Sequence, residues 1–427
     1  MYEDLLSHTP PQTAMKTRRL KVLLGCYACN PFQGSEPGTG WNFVVNIAKH
    51  HDVHAIVEEE VGKDDILKYL KQNPDSLKNV TFHFIKRRRC RLLRKIWPPS
   101  YYWSYRLWQK KAYKYALELD KQEDFDIVHQ INLVGYREPG YLWKINKPFI
   151  WGPVGGLNQT AWNLLPFMSL YGIVFYTMRN LINKVHKRWS IAAQKASQKA
   201  HTIFASDPET IHDIKKFWKR DAIVMREVGT SSSISATKIS PRKPGSPLQI
   251  CWAGVHEPRK GLPILLRAVA LCKQNVHIHI LGQGPCFRKW KNIARNLQVE
   301  NIVTFHGKIP HDDVYNIMSK SHVFCITSIS EGGTPNIVME ALQQGLPIVA
   351  LNHCAYSSVI DNSCAIKIDI HPARTIIPQI ANALDFLAES EETRQKLAHG
   401  ALNRSQAYTW ASKMEVLNAV YAQATNN

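Results

Sequence analysis

The stretch Ser328-Ile329-Ser330-Glu331-Gly332-Gly333-Thr334-Pro335-Asn336-Ile337-Val338-Met339-Glu340-Ala341-Leu342 decides how this chain is read. The apolar run Val323-Phe324-Cys325-Ile326 precedes it, and Gly345-Leu346-Pro347-Ile348-Val349-Ala350 closes it. The pattern predicts strand, Gly-rich loop, helix and a second strand. Such a loop aims backbone N–H groups and a helix N-terminus at one spot, which suits a diphosphate. Two carboxylates, Glu331 and Glu340, flank that spot. Carboxylates accept hydrogen bonds from sugar and ribose hydroxyls. Read in isolation, the segment is equally a Gly-capped helix start with two solvated acids.

In context, the stretch resembles the donor signature of the family 4 retaining glycosyltransferases, which have the GT-B fold. The resemblance implies that Glu340 holds the ribose of a nucleotide and Glu331 the transferring sugar. It makes Gly332, Gly333, Thr334, Pro335 and Asn336 the donor-binding loop. Eight residues (332–339) separate the two glutamates, one more than the family pattern has. Either one of the two glycines is an insertion that the loop absorbs, or Glu331 is displaced from its role. Glycine can absorb the extra residue because it tolerates positive φ.

The flanking motifs fall in the family's order. Trp252-Ala253-Gly254-Val255-His256-Glu257-Pro258-Arg259-Lys260-Gly261 resembles the second donor element, where Arg259 and Lys260 would grip the diphosphate. Fixed cations beside a departing phosphate lower the barrier to breaking the sugar–phosphate bond. Gly284, in Leu281-Gly282-Gln283-Gly284-Pro285, fits the nucleotide-side loop. The main chain of Lys308 and Ile309 fits the segment that reads the base. Gly38, in Gly34-Ser35-Glu36-Pro37-Gly38-Thr39-Gly40-Trp41, sits in a Gly-rich turn expected to face the donor phosphates. With Gly152-Pro153-Val154-Gly155-Gly156, this turn looks like a branch that works in cell-surface polysaccharide synthesis. His129 ends a predicted strand, where the family often places a histidine near the transferred sugar; a core histidine reads equally well.

Strand and helix patterns alternate twice along the chain, which predicts an α/β architecture. The expectation is two Rossmann-like, doubly wound domains facing a cleft. Residues 1–235 form the acceptor-side domain, completed by a C-terminal helix over 408–427, and 246–407 form the donor domain. The junction runs from Ser231-Ser232-Ser233 to Pro247 and is rich in Ser, Pro and Gly.

Composition narrows the partners. Lys and Arg number 54 against 34 Asp and Glu, a net charge of +20, which favours anions. Nine scattered Cys, with Cys26 and Cys29 as a lone CxxC, fit thiols in a reducing cytosol better than a zinc site. Asp124-Phe125-Asp126 is the only DxD and leads into a strand, so no metal and no cofactor are expected. No run of apolar residues is long enough to span a bilayer. The run Lys86-Arg87-Arg88-Arg89-Cys90-Arg91, followed by Tyr101, Tyr102, Trp103, Tyr105 and Trp108, suits an anionic membrane surface, with Trp162 to Met168 as an apolar foot. Nucleic acid is a weaker reading of the same charge.

The whole pattern predicts a metal-independent hexosyltransferase working in the cytoplasm, peripheral on the inner face of the membrane. It would take a nucleotide sugar as donor and a glycan, lipid-linked by expectation, as acceptor. The alternative is a catalytically degenerate partner or scaffold of a polysaccharide assembly.

Overall fold

The computed structural model describes residues 18–87, 100–230 and 239–426. The first half forms a seven-stranded sheet in the order β3-β2-β1-β4-β5-β6-β7. Its strands are β1 (Lys21–Cys26), β2 (Asp52–Glu58), β3 (Val80–Ile85), β4 (Ile127–Asn132), β5 (Phe149–Val154), β6 (Thr202–Ala205) and β7 (Ile223–Val224). All pairings are parallel. β4 and β5 are buried along their whole length, as strands covered on both faces must be. The covering helices are α1 (Ser35–Ala48), α2 (Glu59–Gln72), α3 (Ser100–Glu123), α4 (Leu170–Trp189), α5 (Ile191–Lys199) and α6 (Pro208–Asp213).

The second half repeats the plan with six parallel strands, ordered β10-β9-β8-β11-β12-β13. They are β8 (Leu248–Ala253), β9 (Val276–Leu281), β10 (Val303–Gly307), β11 (Val323–Ile326), β12 (Ile348–Leu351) and β13 (Ala365–Ile368). Its helices are α7 (Leu262–Val269), α8 (Phe287–Asn296), α9 (His311–Lys320), α10 (Asn336–Gln343), α11 (Ile376–Glu389) and α12 (Glu391–Gln406). The last helix, α13 (Trp410–Thr425), returns to the first domain. There Met414, Leu417, Val420 and Tyr421 join the core of Val22, Leu24 and Phe43.

Three expectations change. The Gly34–Gly40 stretch is not a free turn but the start of α1, which begins at Ser35. Cβ atoms at Gly38 and Gly40 would run into the carbonyls of Gln33 and Ala28, so these glycines serve close packing of the helix. Arg87 does not face outward: it is buried, with its guanidinium 5.5 Å and 4.9 Å from the ring centres of Tyr27 and Tyr101. Arg88, Arg89, Cys90 and Arg91 lie outside the described residues, as do Ser231, Ser232 and Ser233. Finally, the segment Trp162 to Met168 is a clasp between domains. Leu164, Leu165 and Met168 are buried in the second domain's core beside Trp252 and Leu262. Asn163 Nδ2 donates to the Ile370 carbonyl at 2.5 Å.

Candidate active site

Each sheet reverses its strand order once, between β1 and β4 and between β8 and β11. Ligands of open α/β sheets bind at such switch points, at the carboxyl ends of the strands. A cavity of about 880 Å³ lies between the two switch points. From the second domain it is lined by Arg259 and Lys260 after β8, Gln283 after β9, Lys308 and Ile309 after β10, and Ser330 to Asn336 after β11. Glu340 reaches it from α10. The first domain contributes Glu36, Thr39, Gly135, Gly155, Tyr176 and Arg179.

Glu331 is the electrostatic centre of the site. Arg259 Nη1 donates to its Oε2 at 2.6 Å, and Lys260 Nζ donates to its Oε1. Arg259 Nε also donates to Glu257 Oε2 at 2.9 Å. The Glu331 side chain is 7% exposed, so this is a desolvated ion cluster and not a surface pair. Burial disfavours the charge of Arg259, but Glu331 and Glu257 outweigh it and hold its pKa above the ordinary value. The sequence reading gave these residues separate ligands, phosphate for the cations and sugar for Glu331. In the structure they hold one another.

Glu340 stands at the far end of the loop with its side chain 15% exposed. His311 Nε2 lies 3.8 Å from its Oε1. Burial raises the Glu340 pKa, and His311 offsets part of that rise. The loop glycines do different jobs. A Cβ at Gly332 would meet open space, whereas one at Gly333 would overlap the Glu227 carboxylate. The Gly332 carbonyl accepts from Gly156 N–H at 3.1 Å, and Ser330 Oγ accepts from Thr160 Oγ1 at 2.9 Å and from Arg179 Nη1 at 3.3 Å. The Ser330–Asn336 loop is thereby tied across the cleft to the first domain.

Three sequence-predicted residues stand elsewhere. His129 is fully buried outside the cavity: Nε2–H donates to the Gly152 carbonyl at 2.8 Å, and Nδ1 accepts from Tyr421 O–H at 2.7 Å. Burial lowers its pKa to about 4, so it stays neutral in the core. Gly38 lies behind the α1 turn, and its neighbours Ser35, Glu36 and Thr39 reach the cavity. Gly284 packs against the His256 backbone, and its neighbours Gly282 and Gln283 line the space.

The cavity residues not singled out from sequence include Glu36, Tyr176, Arg179 and Glu227. Glu36 Oε1 accepts from Val134 N–H at 3.1 Å, while its Oε2 has no partner among the described residues. Burial, with Glu227 adding repulsion, lifts the Glu36 carboxyl from 4.5 to about 7. Burial likewise lifts Glu227 to about 6. Buried carboxyls with displaced pKa values in a cleft are candidates for a functional site. The signal for Glu36 was available, because it sits inside the quoted Gly34–Trp41 pattern.

Residues 234–404 match the model of the family described as glycosyl transferases group 1. Over the whole chain, solved structures share the arrangement. HepE from Anabaena, solved with UDP, superposes with a TM-score of 0.62 at 13% identity, covering 94% of this chain and 100% of that one. The apo form of the lipopolysaccharide outer core galactosyltransferase WaaB gives 0.62 at 14% identity, covering 96% and 98%.

The fold is GT-B.

Curated relatives match in part only. D-inositol 3-phosphate glycosyltransferase of Corynebacterium efficiens is 23% identical over 256 residues, 55% of this chain and 59% of that protein. The putative colanic acid biosynthesis glycosyltransferase WcaL of Escherichia coli K12 is 26% identical over 153 residues, 33% of this chain and 37% of that protein. The match thus spans less than two thirds of either relative's length.

Proposed function

We propose that this GT-B protein is a retaining, metal-independent hexosyltransferase of cell-surface polysaccharide synthesis. It moves a sugar from a nucleotide-diphosphate donor to a hydroxyl of a lipid-linked glycan, in the cytoplasm at the inner face of the membrane. The observation that carries this reading is the convergence of Arg259, Lys260, Glu331 and Glu340 on one cavity at the second domain's switch point. The family match over residues 234–404 supports it, as do the polysaccharide and lipopolysaccharide names among its relatives.

The entering diphosphate takes the donors of Arg259 and Lys260 that Glu331 now occupies. Glu331 is then free to accept hydroxyls of the transferring sugar, and Glu340 accepts those of the ribose. The acceptor oxygen attacks the anomeric carbon as its bond to the β-phosphate oxygen breaks. The acceptor proton passes to that departing oxygen, and the two cations stabilise the charge left on the diphosphate. Each cation is assigned ~2–4 kcal/mol of barrier reduction, the range of other preorganised charge-stabilising donors. These cations do the work for which other enzymes use a metal.

Glu331 held by both cations also suits the alternative of a non-catalytic scaffold, in which the cluster is purely structural. A melting-temperature panel with UDP-, GDP-, ADP- and dTDP-sugars, without added metal, tests donor binding. NMR of the product's anomeric configuration tests retention. Stabilisation by one donor with slow hydrolysis in the absence of acceptor is expected. Binding without any turnover would leave the scaffold.

A further inference from the structure

Helix α4 is amphipathic in the wrong sense for a surface helix. Its inward side carries buried polar groups, with Ile173 and Tyr176 packed against the second domain's core. Asn180 Oδ1 accepts from Thr160 N–H at 2.9 Å and its Nδ2 donates to the Thr160 carbonyl at 2.8 Å. Lys187 is buried in an ion pair with Asp213. Its outward side is apolar: Leu170, Val174, Met178, Leu181, Val185 and Trp189 are between 49% and 77% exposed. Tyr171, Phe175 and Ile182 widen the same stripe. At 100° per residue, all nine fall within an arc of roughly 140°. Scattered exposed apolar residues are ordinary, but a contiguous stripe along a helix about 30 Å long is not.

The charge around the stripe says what covers it. From Pro139 to Ser206 the sequence has no Asp or Glu, while Lys144, Lys147, Arg179, Lys184, Lys187, Arg188, Lys195 and Lys199 give eight cations. Lys184 and Arg188 are exposed along one edge of the stripe. A second copy of this face would bring like charges together. An anionic bilayer complements both the stripe and its rim, with the cations reaching the headgroups. Among the described residues no helix is long and apolar enough to cross a membrane, which leaves α4 lying in the interface.

We propose that α4 docks the protein onto a membrane surface containing anionic lipid. The apolar stripe enters the headgroup–acyl boundary, and Lys184 and Arg188 pair with lipid phosphates. The helix carries Tyr176 and Arg179 into the cavity from its other side, so it is the wall between the docked surface and the cleft. A bilayer-anchored acceptor would reach the cavity along that wall. This last consequence rests on the glycosyltransferase reading, whereas the docking does not.

Flotation of the full chain with phosphatidylcholine vesicles, alone or mixed with phosphatidylglycerol, tests the proposal without any nucleotide sugar. Binding to the mixed vesicles is expected. Val174→Ser/Met178→Ser/Val185→Ser should abolish it with an unchanged melting temperature. Lys184→Gln/Arg188→Gln removes only exposed charges and should weaken it by roughly tenfold or more. Absence of wild-type binding to the mixed vesicles, or binding indifferent to both variants, would overturn the proposal. So would sedimentation of the wild type as a dimer that the triple variant splits, since a second copy would then cover the stripe.

Discussion

The two walls of the cleft are built differently. On the second-domain wall, Arg259, Lys260, Glu331 and Glu340 come from two short stretches: Arg259 and Lys260 are adjacent in sequence, and Glu331 to Glu340 is one loop and one helix. On the first-domain wall, Glu36, Tyr176, Arg179 and Glu227 come from three separate parts of the chain. The second-domain wall is a local device set by strand-end loops. The opposite wall is a tertiary one, assembled only when α1, α4 and the interdomain segment meet. Under the proposed function this difference is a division of labour: a fixed grip for the donor, and a surface shaped for the acceptor by helix faces.

That division can be broken by substitution. The largest effect is expected on the donor wall. Arg259→Ala and Lys260→Ala should each lower kcat by about 10²–10³-fold, in line with loss of a preorganised charge-stabilising donor. Single-turnover kinetics with intact fold would measure this, and unchanged kcat would remove both from the chemistry. Glu340→Ala should come next, at about 10–100-fold in donor affinity, the cost of losing hydrogen bonds to a charged acceptor. Calorimetric titration with the nucleotide alone would check it, because the loss should appear there without the sugar.

The paired loop glycines give a sharper contrast. Gly333→Ala places a methyl against Glu227 and should cripple donor binding, whereas Gly332→Ala points into open space and should be tolerated. Equal behaviour of the two would contradict the geometry. On the first-domain wall, Arg179→Ala should raise the acceptor KM by about 3–10-fold, the scale of one net hydrogen bond, and leave donor affinity alone. A change in donor affinity instead would mean that its tie to Ser330 matters more than its place in the wall.

The smallest effect concerns pH. The fold holds a proton on Glu36 up to about pH 7, while the unfolded chain releases it near 4.5. Stability from this group is therefore full below about 4.5 and fades as pH rises to 7. Glu36→Gln should flatten that part of the melting-temperature profile. An identical profile in the variant would move the carboxyl out of the cleft's electrostatics.

The same contrast explains what could be read from sequence. Both parallel sheets were legible, because β5, β11 and β12 open with short apolar runs between Gly-rich or helical segments. Arg259, Lys260, Glu331 and Glu340 were legible because each lies within a compact strand–loop–helix pattern. His129 illustrates the failure. A strand-end position does not say whether the side chain faces ligand or core, and here α13 returns 292 residues later to bring Tyr421 onto its ring. Arg87 failed likewise, because a basic run does not reveal that two tyrosines enclose one of its members. Trp162 to Met168 reads as a lipid-facing patch until its partner, the second domain's core, is known. Tyr176 and Arg179 carry no local signature, since only packing turns one edge of α4 toward the cleft.

The most direct test of the central claim is calorimetric titration of the wild type and Arg259→Ala/Lys260→Ala with each nucleotide-diphosphate sugar in metal-free buffer. The account predicts that one donor binds the wild type and that its binding collapses in the double variant, which still folds. Failure of every donor to bind the folded wild type, or equal affinity in both proteins, would contradict it.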